Sequence, residues 1–224
     1  MFEKRITIFS GHYGSGKTNI AVNFSLSLKK LYEKVSVYDL DIVNPYFRTV
    51  DAVNTLNNGG VELVVSPFAE TNVDIPAMNS ASYKMIHDKS ARAVVDLGGD
   101  DRGALALGRF CEGIKEENDY YMVFVYNPYR PETKTIDGAI EILTEIERVS
   151  KIKFNAIAAN PNLGVETTPE TVYRGIEIAE ELSKKIDLPI LFTAVEKSVL
   201  LNSDEKRINT QILPIELIKY GNWI

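Results

Sequence analysis

Apolar residues recur along this chain in two alternating rhythms, and that alternation sets the first expectation. Arg5–Ser10 reads Arg-Ile-Thr-Ile-Phe-Ser, which alternates as a strand does. After a glycine-rich stretch, Asn19–Tyr32 places Ile20, Phe24, Leu28 and Leu31 along one face of a helix. Lys34–Tyr38 is a second strand pattern, closed by Asp39-Leu40-Asp41. Asn44-Pro45 breaks the chain, a helix is expected over Phe47–Leu56, and Gly59-Gly60 makes a turn. Val61–Ser66 then reads as a strand and Pro76–His87 as a helix. Ala91–Asp96 is a nearly continuous apolar run, as expected of a strand buried on both faces. The pattern goes on through a helix at Gly103–Lys115, an aromatic-rich strand at Tyr120–Tyr126 and a long amphipathic helix at Pro131–Val149. A strand at Phe154–Ala159, a helix at Pro169–Lys185 and a strand at Ile190–Thr193 complete it.

Alternation of this kind predicts a doubly wound α/β fold, a mainly parallel sheet with helices on both faces. Nothing in the chain reads as an internal repeat, a low-complexity tract or a linker, so residues 1–224 are expected to form a single domain. The tail Gln211–Ile224 is apolar and lacks a Lys/Arg-rich polar face. It reads as a closing strand or short helix packed on the core, rather than as a membrane or partner tail.

Composition changes the picture only at its edges. The 25 Lys+Arg against 31 Asp+Glu give a net charge of −6, which disfavours a broad nucleic-acid-binding face. One cysteine, Cys111, supplies neither an internal disulfide nor the paired thiolates of a cluster or zinc site, and reads as a helix core residue. His87 sits at a predicted helix end. No apolar stretch reaches the length of a signal segment or a membrane span, so a soluble, cytoplasmic protein is expected.

Candidate chemistry gathers where strands end. Gly11-His12-Tyr13-Gly14-Ser15-Gly16-Lys17-Thr18 fits the phosphate-loop pattern, with a strand before it and a helix after it. Glycines let successive backbone N–H groups curl toward phosphate oxygens, and the helix N-terminus adds its positive end. Lys17 is expected to reach the β- and γ-phosphates, and the Thr18 hydroxyl to bind Mg²⁺. Asp39 and Asp41 close the next strand at the sheet edge where open α/β folds bind ligands; one could hold a magnesium-bound water and the other orient the attacking water. A solvated strand-end turn accounts for the same pair. Val94-Val95-Asp96-Leu97-Gly98-Gly99 is an apolar strand ending in Asp, placed to hold Mg²⁺ through water, with a glycine N–H available to the γ-phosphate. Asp100-Asp101-Arg102-Gly103 extends it into a candidate switch segment. The polar loop Asn127-Pro128-Tyr129-Arg130-Pro131 ends another strand, and reads either as a recognition loop or as an ordinary start to a helix.

Three of these stretches together resemble the MinD/ParA/CobQ nucleotide-binding group: Gly-Ser-Gly-Lys-Thr-Asn-Ile-Ala-Val-Asn-Phe, Val-Tyr-Asp-Leu-Asp-Ile-Val-Asn-Pro and Val-Val-Asp-Leu-Gly-Gly. The resemblance runs over roughly residues 5 to 195 and is strongest in the first hundred. It implies that Asp39 helps hold Mg²⁺, that Asp41 activates water, that Asp96 is the strand-end magnesium residue, and that ATP drives a homodimer which opens after hydrolysis. The group's extra phosphate-loop lysine, which reaches the partner's phosphates, is His12 here, with Tyr13 where a glycine is usual. A histidine is mostly neutral at pH 7 and is no substitute for a permanent cation; Arg48 and Arg102, near the expected switch segments, are alternative sources of charge. The strand end Asn160-Pro161-Asn162-Leu163 lacks the Asp of the guanine-reading Asn-Lys-x-Asp pattern, because Leu163 stands in its place. Asn160 resembles the group's adenine-contacting residue, though an Asx turn explains an Asn there as well.

These readings favour an Mg²⁺- and ATP-binding ATPase, slow in hydrolysis, that acts as a switch on a protein partner. The alternative is a small-molecule kinase or ATP-dependent synthase resembling the dethiobiotin synthetase relatives, with a small-molecule acceptor. A metallochaperone or reductase-activating ATPase ranks last, since those relatives carry Cys pairs or His clusters. Neither nucleic acid nor membrane is expected as a partner.

Overall fold

The computed structural model describes residues 1–41, 49–65, 80–99 and 101–218. Eight strands of the described residues form one sheet in the order β3-β2-β4-β1-β5-β6-β7-β8, and each neighbouring pair is parallel. They are β1 Ile6–Ser10, β2 Val35–Leu40, β3 Glu62–Val65, β4 Arg92–Leu97, β5 Tyr120–Tyr126, β6 Ala156–Ala159, β7 Ile190–Glu196 and β8 Ile212–Ile215. The helices are α1 Lys17–Lys29, α2 Val53–Asn58, α3 Ser80–His87, α4 Asp101–Gly108, α5 Cys111–Glu117, α6 Ile136–Ser150, α7 Pro169–Ile186 and α8 Lys197–Leu200. The fold is therefore the doubly wound parallel α/β class that the alternation predicts.

The two-residue period of the strands divides the core into two layers. Ile6, Ile8, Val95, Leu97, Phe124, Tyr126 and Ile157 face one side, against Ile114 of α5, Leu143 and Ile146 of α6 and Leu182 of α7. Phe9, Val37, Val94, Val123, Val125 and Phe192 face the other, against Ile20, Phe24 and Leu28 of α1 and Leu213 and Ile215 of β8. The rings of Phe9 and Phe24 meet edge-on at 5.1 Å between centroids, and Phe24 and Phe192 stack at 5.9 Å. Sheet order places β1 centrally, with the chain turning toward β2 on one side and β5 on the other. The phosphate-loop segment after β1 thus stands at the topological switch point, where open α/β sheets bind ligands.

Four elements differ from expectation. The helix foreseen over Gly103–Lys115 is two helices, because Gly108 ends α4 and Phe110, only 2% exposed, turns inward against Tyr83 before α5 begins. The helix foreseen from Pro131 starts at Ile136 instead: Pro131–Thr133 is a 3-10 turn, and Thr135 caps α6 by accepting from Gly138 N at 3.2 Å. The stretch foreseen as a helix over Phe47–Leu56 is, where described, a 3-10 turn at Thr49–Ala52 followed by α2. β7 runs three residues past the expected Thr193, because β8 pairs along it up to Glu196.

The tail does close the sheet: β8 lies parallel to β7 with Leu213 and Ile215 buried. Cys111 is buried at the start of α5, and His87 ends α3. Asn44-Pro45, Arg48, Pro76–Asn79 and Asp100 lie outside the described residues. Among the described residues no helix is long and apolar enough to cross a membrane.

Candidate functional site

The site is built on the C-terminal ends of β1, β2, β4, β5 and β6. Leaving β1, the chain makes the loop Gly11–Gly16, closed by Ser15 N donating to His12 O at 3.1 Å, and enters α1 with Gly16 at φ 93°. No side chain caps α1, and its first turn carries no acid. The positive end of a 13-residue helix therefore opens onto the loop with no acid in its own first turn. Gly16 is required twice over: its backbone is left-handed, and an added Cβ would strike the Asn160 amide. Gly99, just beyond β4, packs its backbone on Gly11, and an added Cβ would lie 3.1 Å from the Gly11 carbonyl carbon and nearer still to its oxygen.

Lys17 is buried, and its Nζ donates to His12 O at 3.2 Å, so the ammonium lies against the loop. Thr18 Oγ1 donates to Asp96 Oδ2 at 2.7 Å. Thr49 Oγ1 donates to the same oxygen at 2.7 Å, which brings the segment after β2 onto the end of β4. Register sets Asp39 beside Asp96 on neighbouring strands, and Asp39 Oδ1 accepts from Asp41 N at 3.1 Å. All three carboxylates are buried, at 1%, 5% and 0% exposure for Asp39, Asp41 and Asp96.

Burial and the nearby Asp41 charge push the Asp96 carboxyl above its usual range, against the pull of Lys17 and the two threonine hydroxyls. Asp96 Oδ1 has no hydrogen-bond partner among the described residues. A fully buried carboxylate oxygen with nothing to accept from is costly, and a divalent cation or its water would satisfy it. Among the described residues no group of three or more His, Cys, Asp or Glu side chains is placed to hold a metal on its own. The oxygens of Thr18 and Asp96 are donors of the kind Mg²⁺ takes, one or two from protein with water and phosphate completing its shell. Thr18 and Asp96 would hold it, with Asp39 beside them.

Asn160, at the end of β6, is 3% exposed and donates through Nδ2 to Ser15 O at 2.6 Å. It braces the loop from the side opposite Asp96. Its Oδ1 is buried and has no partner among the described residues. His12 and Tyr13 form the outer rim. Tyr13 is 54% exposed, while His12 Nδ1 lies 3.0 Å from Tyr13 O and 3.7 Å from Glu132 Oε2. Beside this rim a cavity of about 320 Å³ opens, lined by His12 and Gly99 together with Glu132, Glu141, Ile142 and Glu145.

The structure thus brings Gly11–Thr18, Asp39, Asp41, Asp96 and Asn160 to one place. Arg102, a candidate source of charge, is exposed on α4. Sequence reasoning missed Thr49 and Glu132. Neither belongs to a spaced motif, and only the fold carries them to Asp96 and His12.

No protein-family model and no curated protein matches this sequence. Solved structures do. The chain is similar to FtsY from Mycoplasma mycoides (19% identity, TM-score 0.52) over 86% of its own length and 61% of that chain. It is similar to the signal recognition particle receptor FtsY from Elizabethkingia anophelis in complex with GDP (17%, TM-score 0.53) over 87% and 58%. A third match is the cell division protein FtsY from Thermotoga maritima (13%, TM-score 0.59), over 86% and 62%. At these identities the likeness is one of fold, and the chain spans about three fifths of the length of those proteins.

Proposed function

We propose that this chain binds a nucleoside triphosphate with Mg²⁺, that the nucleotide is ATP, and that slow hydrolysis makes it a switch acting on a partner protein. One observation carries the reading: an uncapped helix terminus and Lys17 meet Thr18 and a buried Asp96 oxygen with no described partner, all around one glycine loop. Backbone N–H groups and Lys17 would hold the β- and γ-phosphates. Mg²⁺, when bound, would neutralise charge developing on the phosphoryl oxygens. Asp41 would orient the attacking water, and Gly99 N–H would face the γ-phosphate.

Three sources support a switch: the fold shared with FtsY proteins, the motif resemblance to the MinD/ParA/CobQ group, and Thr49, which ties the segment after β2 to the Asp96 carboxylate. ATP is favoured over GTP because Leu163, 41% exposed, stands where a guanine-reading Asp would be. One of the FtsY structures holds GDP, so both bases belong in the test. Calorimetric titration with Mg-ATP and Mg-GTP is expected to show ATP binding in the wild type and none in Lys17→Ala. Equal ATP binding by the two would end the phosphate-loop reading, and a preference for GTP would overturn the choice of base.

The cavity beside His12 favours a second reading, a kinase or synthase acting on a small molecule seated there. Phosphate release from ATP that rises sharply with one metabolite, together with a phosphorylated product, would replace the switch by that activity.

A further inference from the structure

The loop after β5 is held more firmly than a surface connection requires. Asn127, 1% exposed, accepts through Oδ1 from Tyr129 N at 3.0 Å and donates through Nδ2 to Asn162 O at 2.9 Å. Its carbonyl takes the Thr133 hydroxyl at 2.6 Å and Arg130 N at 3.3 Å. Tyr129 OH donates to Thr171 O in α7 at 2.6 Å. Pinned on both sides, this loop presents one long side chain to the phosphate loop. The Arg130 guanidinium carbon and Nε lie 3.5 Å from the position a Cβ would take on Gly14, and one terminal nitrogen lies 3.8 Å away. Arg130 is exposed, and its guanidinium makes no ion pair or hydrogen bond with any described residue. The nearby acid, Glu132, faces His12 instead.

An unpaired, permanently charged group resting on the central glycine of an anion-binding loop has one evident use. We propose that Arg130 is a phosphate-binding residue supplied in cis, providing at this loop the fixed positive charge that His12 does not. This rests on the nucleotide-binding reading above. A guanidinium stays charged at any physiological pH and offers several N–H donors in a planar fork suited to phosphate oxygens. His12 has neither property while neutral. Of the two arginines considered from the sequence, Arg102 is exposed on α4 and Arg48 lies outside the described residues.

The test uses the whole chain as wild type, Arg130→Ala, Arg130→Lys and Lys17→Ala, titrated with Mg-ATP and Mg-GTP and melted with and without nucleotide. Arg130→Ala is expected to bind the wild type's preferred triphosphate about ten- to a hundred-fold more weakly, the worth of a charge-assisted hydrogen bond. Arg130→Lys should fall between them, since it keeps charge and loses the fork. The nucleotide-free melting temperature should not change, because an exposed, unpaired side chain holds nothing in the empty fold. Wild-type binding with Arg130→Ala within twofold of it overturns the proposal and leaves the nucleotide reading standing. A lower nucleotide-free melting temperature in Arg130→Ala also overturns it, by assigning the residue a structural role. A wild type that binds neither nucleotide overturns both readings at once.

Discussion

Gly99→Ala is the substitution in which the site's geometry can be tested most directly. The added methyl would lie 3.1 Å from the Gly11 carbonyl carbon and 3.3 Å from that of His12, with the Gly11 oxygen nearer than either. These are backbone atoms of the phosphate loop, so no rotamer change relieves the clash. Either β4's end or the loop must shift by about 1 Å. Overpacking of this kind costs about 1–3 kcal/mol, and for a domain of this size each kcal/mol lowers the melting temperature by about 2–4 °C. The larger effect falls on binding, because a misplacement of about 1 Å in a preorganised site costs on the order of a hundred-fold. Gly164→Ala is the matched control: its φ is +66°, so alanine is strained there, but nothing lies within 4 Å of the added carbon. Titration with Mg-ATP beside thermal melts should show both variants melting earlier and only Gly99→Ala losing affinity, by about two orders of magnitude. Wild-type affinity in Gly99→Ala, or an equal loss in Gly164→Ala, would refute the claim that backbone contact between Gly99 and Gly11 sets the loop.

Two further substitutions probe the frame and the base side of the site. Arg5 and Glu117 form a nearly buried pair at the opposite edge of the sheet, with side chains 7% and 11% exposed. Burial pushes Glu117 up, but hydrogen bonds from Arg5 and Lys89 and the charges behind them outweigh it and hold the carboxyl below its ordinary range. The unfolded chain therefore binds the proton more readily, and the pair's contribution is complete above the ordinary carboxylate range and lost as pH falls through the depressed value. Glu117→Gln should cost about 3 kcal/mol at pH 7, with the two melting curves converging in acid; a gap unchanged between neutral and acid pH would show that the charge is not what matters. Asn160→Ala removes the donor to Ser15 O and should cost about 1–3 kcal/mol, with ATP affinity falling more than that for inorganic tripolyphosphate. Equal losses for the two ligands would make Asn160 a brace for the loop and not a contact to the base.

Much of the fold could be read from the sequence because its strands and helices carry different periods. Ile6, Ile8 and Phe9 divide cleanly between the two core layers, and Ile20, Phe24 and Leu28 line one helix face. The failures have a common physical cause, in that a helical period says little about where a helix stops. Gly108 and the inward turn of Phe110 split one expected helix, and the hydrogen bond from Thr133 to Asn127 keeps Pro131 out of another. The motif residues of the site were legible since phosphate binding needs glycines and a helix start at fixed spacing. Thr49 was not, because its meaning lies in a 2.7 Å contact with Asp96, across 47 residues. Arg130 was visible as part of a polar loop, yet only the pairing of β5 with β1 sets that loop against Gly14.

That difference bears on how the loop's charge is balanced. In the group this sequence resembles, the loop lends a lysine to the other subunit, so full neutralisation of the triphosphate depends on a second copy. Here the corresponding residue is His12, whose Nδ1 contacts Tyr13 O and faces Glu132. The rim beside it carries Glu132, Glu141 and Glu145, and three carboxylates there would repel a partner's phosphates rather than receive them. Among the described residues, Lys17 and Arg130 are the cations that rest on the loop. The acidic rim, being complementary to positive charge, is better matched to a basic group on another molecule than to a second copy of itself.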